Sequence, residues 1–178
     1  MIISSARNVF LSKTPFPSIT KDKIDILQVN IGYKCNQACS HCHVNASPNR
    51  TEMMDDNIIS LIPKVLKDYQ IKTLDITGGA PELHPSFKDL IIQSSALDIE
   101  IIDRCNLTIL TEPGYEYLAS FLADNKVQIT ASLPCYLEEN VDKQRGQGVF
   151  EGSIKGLKLL NKYGYGIKGS ELSLNLVF

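Results

Sequence analysis

The stretch that decides the fold of this chain is Ile26-Leu-Gln-Val-Asn-Ile31 followed by Gly32-Tyr-Lys-Cys-Asn-Gln-Ala-Cys-Ser-His-Cys42. Its first six residues form a short, largely β-branched run, which predicts a strand. Its second part is a polar loop that places Cys35, Cys39 and Cys42 directly after that strand. A strand followed by a loop rich in reactive side chains is typical of alternating strand and helix folds, in which the loops carry the function.

The same order of strand, turn and helix returns along the rest of the chain. Apolar residues at helical spacing predict a helix over 55–69, in which Pro63 indicates a kink or a later start. Further strands are predicted at 73–76, 99–103, 127–132 and 171–178, and further helices at 86–97, 112–125 and 150–163. This alternation predicts an α/β fold with parallel strands joined by right-handed crossovers, either barrel-like or doubly wound. In both arrangements the active-site loops follow the carboxyl ends of the strands.

Two regions follow from this pattern, a polar lead-in over residues 1–25 and a core over residues 26–178. Leu172, Leu174 and Leu176 make an apolar last strand, and no helix comes after it. We therefore expect an incomplete architecture: a natural short form, a shortened chain, or a half that another chain completes.

Composition narrows the classes of protein. The chain has 178 residues, of which 43% are hydrophobic, enough to bury the core of one globular domain. Its 18 basic and 20 acidic side chains give a formal charge of -2, which offers no basic field for nucleic acid or anionic lipid. Without an apolar run of about 20 residues or an N-terminal secretory pattern, we expect no membrane partner and a cytoplasmic location.

The cysteines indicate a metal centre. Five is an odd number and most are closely grouped, which argues against a disulfide framework. Three thiolates at Cys-x3-Cys-x2-Cys spacing can hold three irons of a [4Fe-4S] cluster and leave the fourth iron open to an external ligand. The alternative is a zinc site completed by His41 or His43, although the loop lacks the paired spacing of common zinc modules.

Other polar or flexible residues follow the later strands. Gly78-Gly79 comes after the second predicted strand, where bare backbone can contact a ligand, although any tight turn there favours glycine. His43 and His84 lack paired-ligand spacing and are interpreted as loop hydrogen-bonding groups. The neighbours Asp103 and Arg104 can clamp a carboxylate or form an ordinary ion pair.

The longer motifs resemble those of the radical S-adenosylmethionine (SAM) superfamily. They are similar, more narrowly, to the arsenosugar biosynthesis radical SAM proteins, also described as radical SAM/Cys-rich proteins. The similarity is carried by residues 27–43, by TGGAPEL at 77–83, by IDRCNLT at 102–108 and by SLPCYLEEN at 132–140. It covers nearly the whole chain from Leu27 onward. It implies a partial (β/α) barrel with about five βα units present, a [4Fe-4S] cluster and SAM.

The resemblance also implies roles for individual residues. Cys35, Cys39 and Cys42 would hold the cluster and form the catalytic metal centre. The implied SAM-binding positions are His41 beside the cofactor, Gly78 and Gly79 at its amino group, and Asn106, Ser132 and Asn175 at its ribose or carboxylate. Ala80 stands where many superfamily members carry glutamate, and Glu82 is a candidate replacement. Relatives continue through a final strand and a cysteine-rich C-terminal domain, which this chain is expected to lack.

The implied function is reductive cleavage of SAM, with an external electron donor, and addition of the deoxyadenosyl group to a methylated trivalent arsenical. Trivalent arsenic prefers thiolates, so Cys105 and Cys135 are candidate substrate ligands. Each is alternatively a small buried hydrophobic residue. Two other functions stay open: a radical SAM maturase that modifies peptides, and a truncated, non-catalytic scaffold that binds a cluster or zinc.

Overall fold

The structure is a computed structural model that describes Ser18, Thr20 and residues 22–177. The lead-in predicted over residues 1–25 therefore lies largely outside the described residues, as does Phe178. The strands are β1 (Ile26–Asn30), β2 (Thr73–Thr77), β3 (Glu100–Asp103), β4 (Gln128–Ser132) and β5 (Leu174–Val177). The helices are α1 (Asp56–Ile59), α2 (Ile62–Asp68), α3 (Phe87–Ser95), α4 (Leu118–Asp124), α5 (Glu138–Arg145) and α6 (Val149–Lys162), with short 3-10 helices at Pro81–Leu83 and Thr108–Thr111.

The five strands form one parallel sheet in the order β1-β2-β3-β4-β5. Each strand pairs with the next one in the sequence, for example with Asn30 opposite Thr77 in β1 and β2. A doubly wound sheet would reverse its strand order at a switch point, and this sheet does not. The α/β prediction is confirmed, and its barrel-like alternative describes the sheet.

The two faces of the sheet differ sharply in polarity. On one face Leu74, Ile76 and Ile129 are fully buried against the helices in the main hydrophobic core. On the other, inner face the alternating residues are polar, such as Gln28 and Asp75. Successive strand residues point to opposite sides, so a strand can carry both a core and a polar wall. The inner wall is the side on which ligands can be bound.

Local chemistry explains where two predicted helices differ from the observed ones. The helix predicted over 55–69 is divided into α1 and α2, and Pro63 lies in the first turn of α2, as the later-start alternative required. Asp55 caps α1 by accepting a hydrogen bond from Asn57 N at 2.8 Å. The helix predicted over 112–125 is wrong in its first half, because Gly114 has a φ of 87° in a turn and α4 begins only at Leu118.

Helix α5 was not predicted. Its sequence, EENVDKQR, contains one apolar residue, Val141, and so has no helical period of apolar residues. Its charges nevertheless suit a helix, with Glu138 and Glu139 in the first turn and Lys143 and Arg145 in the last. In the described part of the chain, none of the helices has the length and apolar character needed to cross a bilayer.

A glycine brings α6 against the backbone beside the active-site edge. A Cβ atom added to Gly156 would overlap the carbonyl oxygen of Leu107, a fully buried residue with a φ of 58°. That oxygen belongs to the backbone and cannot move aside as a flexible side chain would.

We therefore expect Gly156→Ala to lower the free energy of unfolding by about 2 kcal/mol, because overpacking outweighs the better helix propensity of alanine. Urea unfolding followed by circular dichroism measures the change. Gly152→Ala is the matched control on the same helix, since its Cβ would meet only the Thr108 methyl group, at 3.1 Å. An equal loss in both variants would contradict the proposed backbone contact.

Candidate active site

A cavity of about 260 Å³ lies at the carboxyl edge of the sheet, between the cysteine loop and the ends of β2, β3 and β4. Most of the residues predicted from sequence line it: Cys35, Cys39, Cys42, His41, Gly78, Gly79, Asn106 and Ser132. His43, Arg104 and Arg145 line it as well. Residues far apart in the sequence are thus brought to one place by the shared direction of the strands.

Backbone hydrogen bonds fix the cysteine loop against the glycine turn. Gly79 N donates to Gly32 O and Ala80 N donates to Lys34 O, both at 2.9 Å. A Cβ atom on Gly78 would lie 2.6 Å from Gly32 O, and one on Gly79 would overlap Lys34 O. Gly78 also has a φ of 151°, which side-chain-bearing residues rarely adopt. Only glycine permits the two loops to lie this close.

The thiols receive hydrogen bonds from nearby N–H groups. Gln37 N and Asn106 Nδ2 each donate to Cys35 Sγ at 3.4 Å, and Ala46 N donates to Cys42 Sγ at 3.3 Å. Burial raises the pKa of the Cys35 thiol, and the hydrogen bonds from Gln37 and Asn106 act against that rise. Hydrogen bonds of this kind to sulfur are typical of iron-sulfur sites, where they tune the cluster.

The spacing of the thiols distinguishes between metals. Two thiolates of a tetrahedral zinc site lie about 3.8 Å apart, as zinc-sulfur bonds of about 2.3 Å require. Among the described residues, the cysteine loop offers no three ligand atoms within 4.8 Å of one another. In a [4Fe-4S] cluster each thiolate binds a different iron, so the sulfur atoms lie further apart. The three thiols are thus compatible with the wider ligand spacing of a [4Fe-4S] cluster.

Arg145 is the functional candidate that sequence reasoning missed. It is the last residue of α5, only 9% exposed, and its Nε and Nη1 atoms have no hydrogen-bond partner within the described part of the chain. Burial lowers the pKa of its guanidinium, and the thiolates of Cys39, Cys35 and Cys42 act in the opposite direction. A buried cation with free donors therefore faces the cysteine loop.

The position of Arg145 is coupled directly to that loop. Ser40 N and Ser40 Oγ both donate to the carbonyl oxygen of Gln144, at 2.9 and 3.1 Å. Gln144 immediately precedes Arg145, so the end of α5 is held over the cysteines.

Asn106 lines the cavity, but its side chain is engaged within the protein. Its Nδ2 donates to Cys35 Sγ and to Asn36 Oδ1, the latter at 2.7 Å, and its Oδ1 accepts from Thr108 Oγ1 and Ile109 N. These contacts satisfy both donors and the acceptor oxygen. Asn106 therefore positions the cysteine loop. Its amide has no free donor for the predicted contact with a ribose or carboxylate.

Three other predicted residues lie away from the cavity. Asn175 is exposed on β5 opposite Thr130, and Cys135 hydrogen-bonds with Leu137 N and Asn140 Nδ2 at 3.4 Å. Cys105 is fully buried. The interpretation of Cys105 as a small buried residue fits its surroundings, whereas capture of a substrate would need an exposed thiol.

Glu82 does not replace the glutamate that many superfamily members carry at the position of Ala80. Glu82 is 4% exposed, and its carboxyl group lies with Asp103 and Cys105, so that the ligand atoms of the three residues are all within 4.8 Å of one another. Burial raises the pKa of Glu82, and burial together with the Glu82 charge raises the pKa of Asp103 well above its ordinary value. Burial and mutual repulsion therefore favour a proton shared by the pair, inside the core and away from the cavity.

His84 acts as a loop hydrogen-bonding group, in agreement with its interpretation from sequence. Its Nδ1 accepts from Ser86 N at 3.1 Å, which leaves Nε2 to donate to Met54 O at 2.9 Å. Arg104 does not pair with its neighbour Asp103. Its Nε and Nη2 donate to Asp75 Oδ1 and Oδ2, both at 2.8 Å.

Thiols, bare glycine backbone and a buried cation at the carboxyl edge of a parallel sheet define an α/β enzyme site for a metal cluster and a small polar cofactor. The sequence profile described as the Radical SAM superfamily matches residues 29–175. This match spans most of the chain, which therefore belongs to the radical SAM superfamily. Members of the superfamily are enzymes that bind SAM and a [4Fe-4S] cluster.

Two solved structures share the fold. AnSMEcpe with bound AdoMet has a TM-score of 0.66 at 20% identity, covering 87% of this chain and 43% of that chain. SuiB of Streptococcus suis bound to S-adenosylmethionine has a TM-score of 0.66 at 18% identity, covering 83% of this chain and 35% of that chain.

Curated proteins show similarity over a comparable part of the chain. The antilisterial bacteriocin subtilosin biosynthesis protein AlbA of Bacillus subtilis is 26% identical over 133 residues, which is 74% of this chain and 29% of AlbA. A probable GTP 3',8-cyclase of Saccharolobus islandicus is 24% identical over 136 residues, which is 76% of this chain and 43% of the cyclase. The chain thus spans less than half the length of either relative.

The buried carboxyl pair generates a prediction about pH. Between the unfolded pKa near 4 and the raised folded pKa, the folded chain binds more protons than the unfolded chain, so stability falls as pH rises. Asp103→Asn should flatten this fall, by up to about 1.4 kcal/mol per pH unit, and should stabilise the chain at pH 8. Urea unfolding of the metal-free chain from pH 5 to 8 measures both effects. Exposed Asp124→Asn is the control, and an unchanged slope in Asp103→Asn would contradict the shared proton.

Proposed function

We propose that this chain holds a [4Fe-4S] cluster on Cys35, Cys39 and Cys42 and cleaves SAM reductively beside it. One observation carries the proposal: three thiols, the Gly78-Gly79 backbone and the free guanidinium of Arg145 face a single cavity. Membership of the radical SAM superfamily supports the same function. When bound, the cluster supplies the electron that cleaves the C5'-S bond of SAM, which gives methionine and a 5'-deoxyadenosyl radical.

The three cysteines would act as the protein ligands of the cluster. Metal binding deprotonates the thiols, and the N–H donors of Gln37 and Asn106 stabilise the thiolate at Cys35. Three protein ligands leave one iron for an external ligand. Because the protein supplies only three thiolates, SAM can bind at the fourth iron.

The methionine part of SAM needs an acceptor for its ammonium group and a donor for its carboxylate. Gly78 and Gly79 line the cavity, and their carbonyl oxygens accept no backbone hydrogen bond from the described residues, so these oxygens are available to accept from the ammonium group. The free Nε and Nη1 of Arg145 can donate to the carboxylate in a charge-assisted pair. Exposed His41 and the Ser132 hydroxyl offer further polar contacts along the same wall.

For the acceptor of the radical we propose a methylated trivalent arsenical, because four sequence stretches resemble those of the arsenosugar biosynthesis proteins. A peptide is the second candidate, because SuiB was solved with the precursor peptide SuiA and AlbA is described as a bacteriocin biosynthesis protein. Cys105 is buried and Cys135 is not among the residues that line the cavity, so the arsenical proposal includes no thiol capture at either cysteine. Either acceptor would bind against the polar inner face of the sheet. An external reductant is also required.

The cluster proposal predicts the outcome of anaerobic reconstitution with iron and sulfide. The wild-type chain should bind about four irons and release 5'-deoxyadenosine from SAM in the presence of dithionite, because all three cysteine ligands are in place. Cys39→Ala should lose the cluster and reduce this release at least about 100-fold. Cys135→Ala, outside the cavity, is the matched control. Binding of one tetrahedral zinc ion in preference to the cluster would contradict the proposal.

The arsenical proposal predicts a covalent product. Reconstituted protein supplied with SAM, dithionite and dimethylated arsenic(III) should form an adduct of arsenic with the 5'-deoxyadenosyl group, detected by mass spectrometry. Omission of dithionite is the control, since cleavage of SAM needs an electron. Release of 5'-deoxyadenosine without any arsenic adduct would exclude this acceptor while leaving the cluster proposal intact.

A further inference from the structure

Arg104 is held in the cavity wall by a buried carboxylate. Its Nε and Nη2 donate to both oxygens of Asp75, and Gln28 Nε2 donates to Asp75 Oδ2 at 2.6 Å. The Asp75 side chain is 7% exposed, whereas the Arg104 side chain is 44% exposed and lines the cavity. One edge of the guanidinium is therefore fixed from below, and the other edge faces the space in which ligands bind.

This pair differs from an ordinary surface ion pair. In Lys126–Glu171 the two side chains are 75% and 82% exposed, so both move freely in solvent. Burial acts to raise the pKa of Asp75, but the hydrogen bonds from Arg104 and Gln28 outweigh it and keep the pKa below its usual value. Asp75 is thus a permanent anion that orients a planar donor group. Nη1 of Arg104 has no hydrogen-bond partner within residues 22–177.

The charged groups around the cavity indicate that Arg104 is not needed to bind SAM. Among the residues that the structure describes, two guanidinium groups line the cavity, those of Arg104 and Arg145, and no aspartate or glutamate does. SAM has a single carboxylate, and Arg145 is the cation that faces the cysteine loop. Asp75, the partner of Arg104, lies two residues before Thr77 on β2. It is therefore about 6.6 Å further along the strand from the cavity edge than Thr77 is. A second anion-binding group thus remains for another ligand.

We propose that Arg104, clamped by Asp75 and Gln28, binds an anionic group, a carboxylate or a phosphate, of the molecule that accepts the radical. The proposal rests on the proposed function, because it assigns the rest of the cavity to the cluster and SAM. A planar guanidinium with one edge fixed presents its remaining N–H donors to such a group at little entropic cost. A bare dimethylated arsenical has neither group, so it would react without using Arg104, whereas an arsenical with a carboxylate or phosphate substituent would use it.

The two arginines allow a double test on the reconstituted protein. Isothermal titration at low ionic strength would measure the dissociation constants of SAM, and then of pyrophosphate and N-acetylglutamate added to the SAM-bound protein. Arg104→Gln should weaken binding of the anionic probe about tenfold and change SAM binding less than threefold. Arg145→Gln should do the reverse. Arg50→Gln removes an arginine that also pairs with a carboxylate, that of Glu52, but lies outside the cavity, and should change neither.

Each result decides the proposal. Preference for pyrophosphate or for N-acetylglutamate identifies a phosphate or a carboxylate substrate, and both support an anion site. No binding of either probe to wild-type protein, or equal binding by Arg104→Gln, overturns it. A loss of SAM affinity in Arg104→Gln as large as that in Arg145→Gln also overturns it, because Arg104 would then serve SAM.

Two further measurements keep the test independent of folding and of the proposed function. Arg104→Lys keeps the charge but loses the planar clamp, so it should bind the probe with intermediate affinity if the mutant proteins retain their iron and circular dichroism. Release of 5'-deoxyadenosine by wild-type protein is measured first. Failure of that release refutes the proposed function, whereas release without Arg104-dependent anion binding refutes only this inference.

Discussion

The rest of the site depends on the two backbone hydrogen bonds that join the glycine turn to the cysteine loop. Through Gly79 N to Gly32 O and Ala80 N to Lys34 O, the loop after β1 is attached to the loop after β2. The thiols gain their place over the sheet from this attachment, and the two glycines border the cavity beside them. A polar loop of this length would otherwise have many conformations, and ordering it would cost conformational entropy.

Sequence periodicity was sufficient for the fold because each strand and most helices carry their own apolar pattern. The five parallel strands follow from the alternation of strands and helices, and the cysteine spacing predicted a metal centre. What the pattern could not reveal was α5, whose octet has no apolar period, and with it Arg145. The only local indication was the order of charges, acids first and bases last, which favours a helix at its dipole ends.

The pairing of side chains that are far apart in the sequence was the second feature that the sequence pattern could not reveal. Arg104 follows Asp103 in the sequence, yet adjacent strand residues point to opposite faces of the sheet, so Asp103 joins the core with Glu82 while Arg104 reaches Asp75 on the neighbouring strand. The same alternation explains Cys105, whose thiol turns into the core with Asp103. Residue type and spacing located these side chains at one edge of the sheet. Only the register of β2 against β3 determined which of them reach the cavity.

The tie between Ser40 and α5 uses the main-chain oxygen of Gln144, not its side chain. Any amino acid at position 144 supplies that oxygen, so natural variation there would leave the geometry intact. The link therefore makes no demand on the side chain at 144, whereas the Ser40 Oγ bond requires a hydroxyl group at 40. The contact that aligns the arginine with the thiols is therefore made by the main chain at 144 and is visible in three dimensions alone.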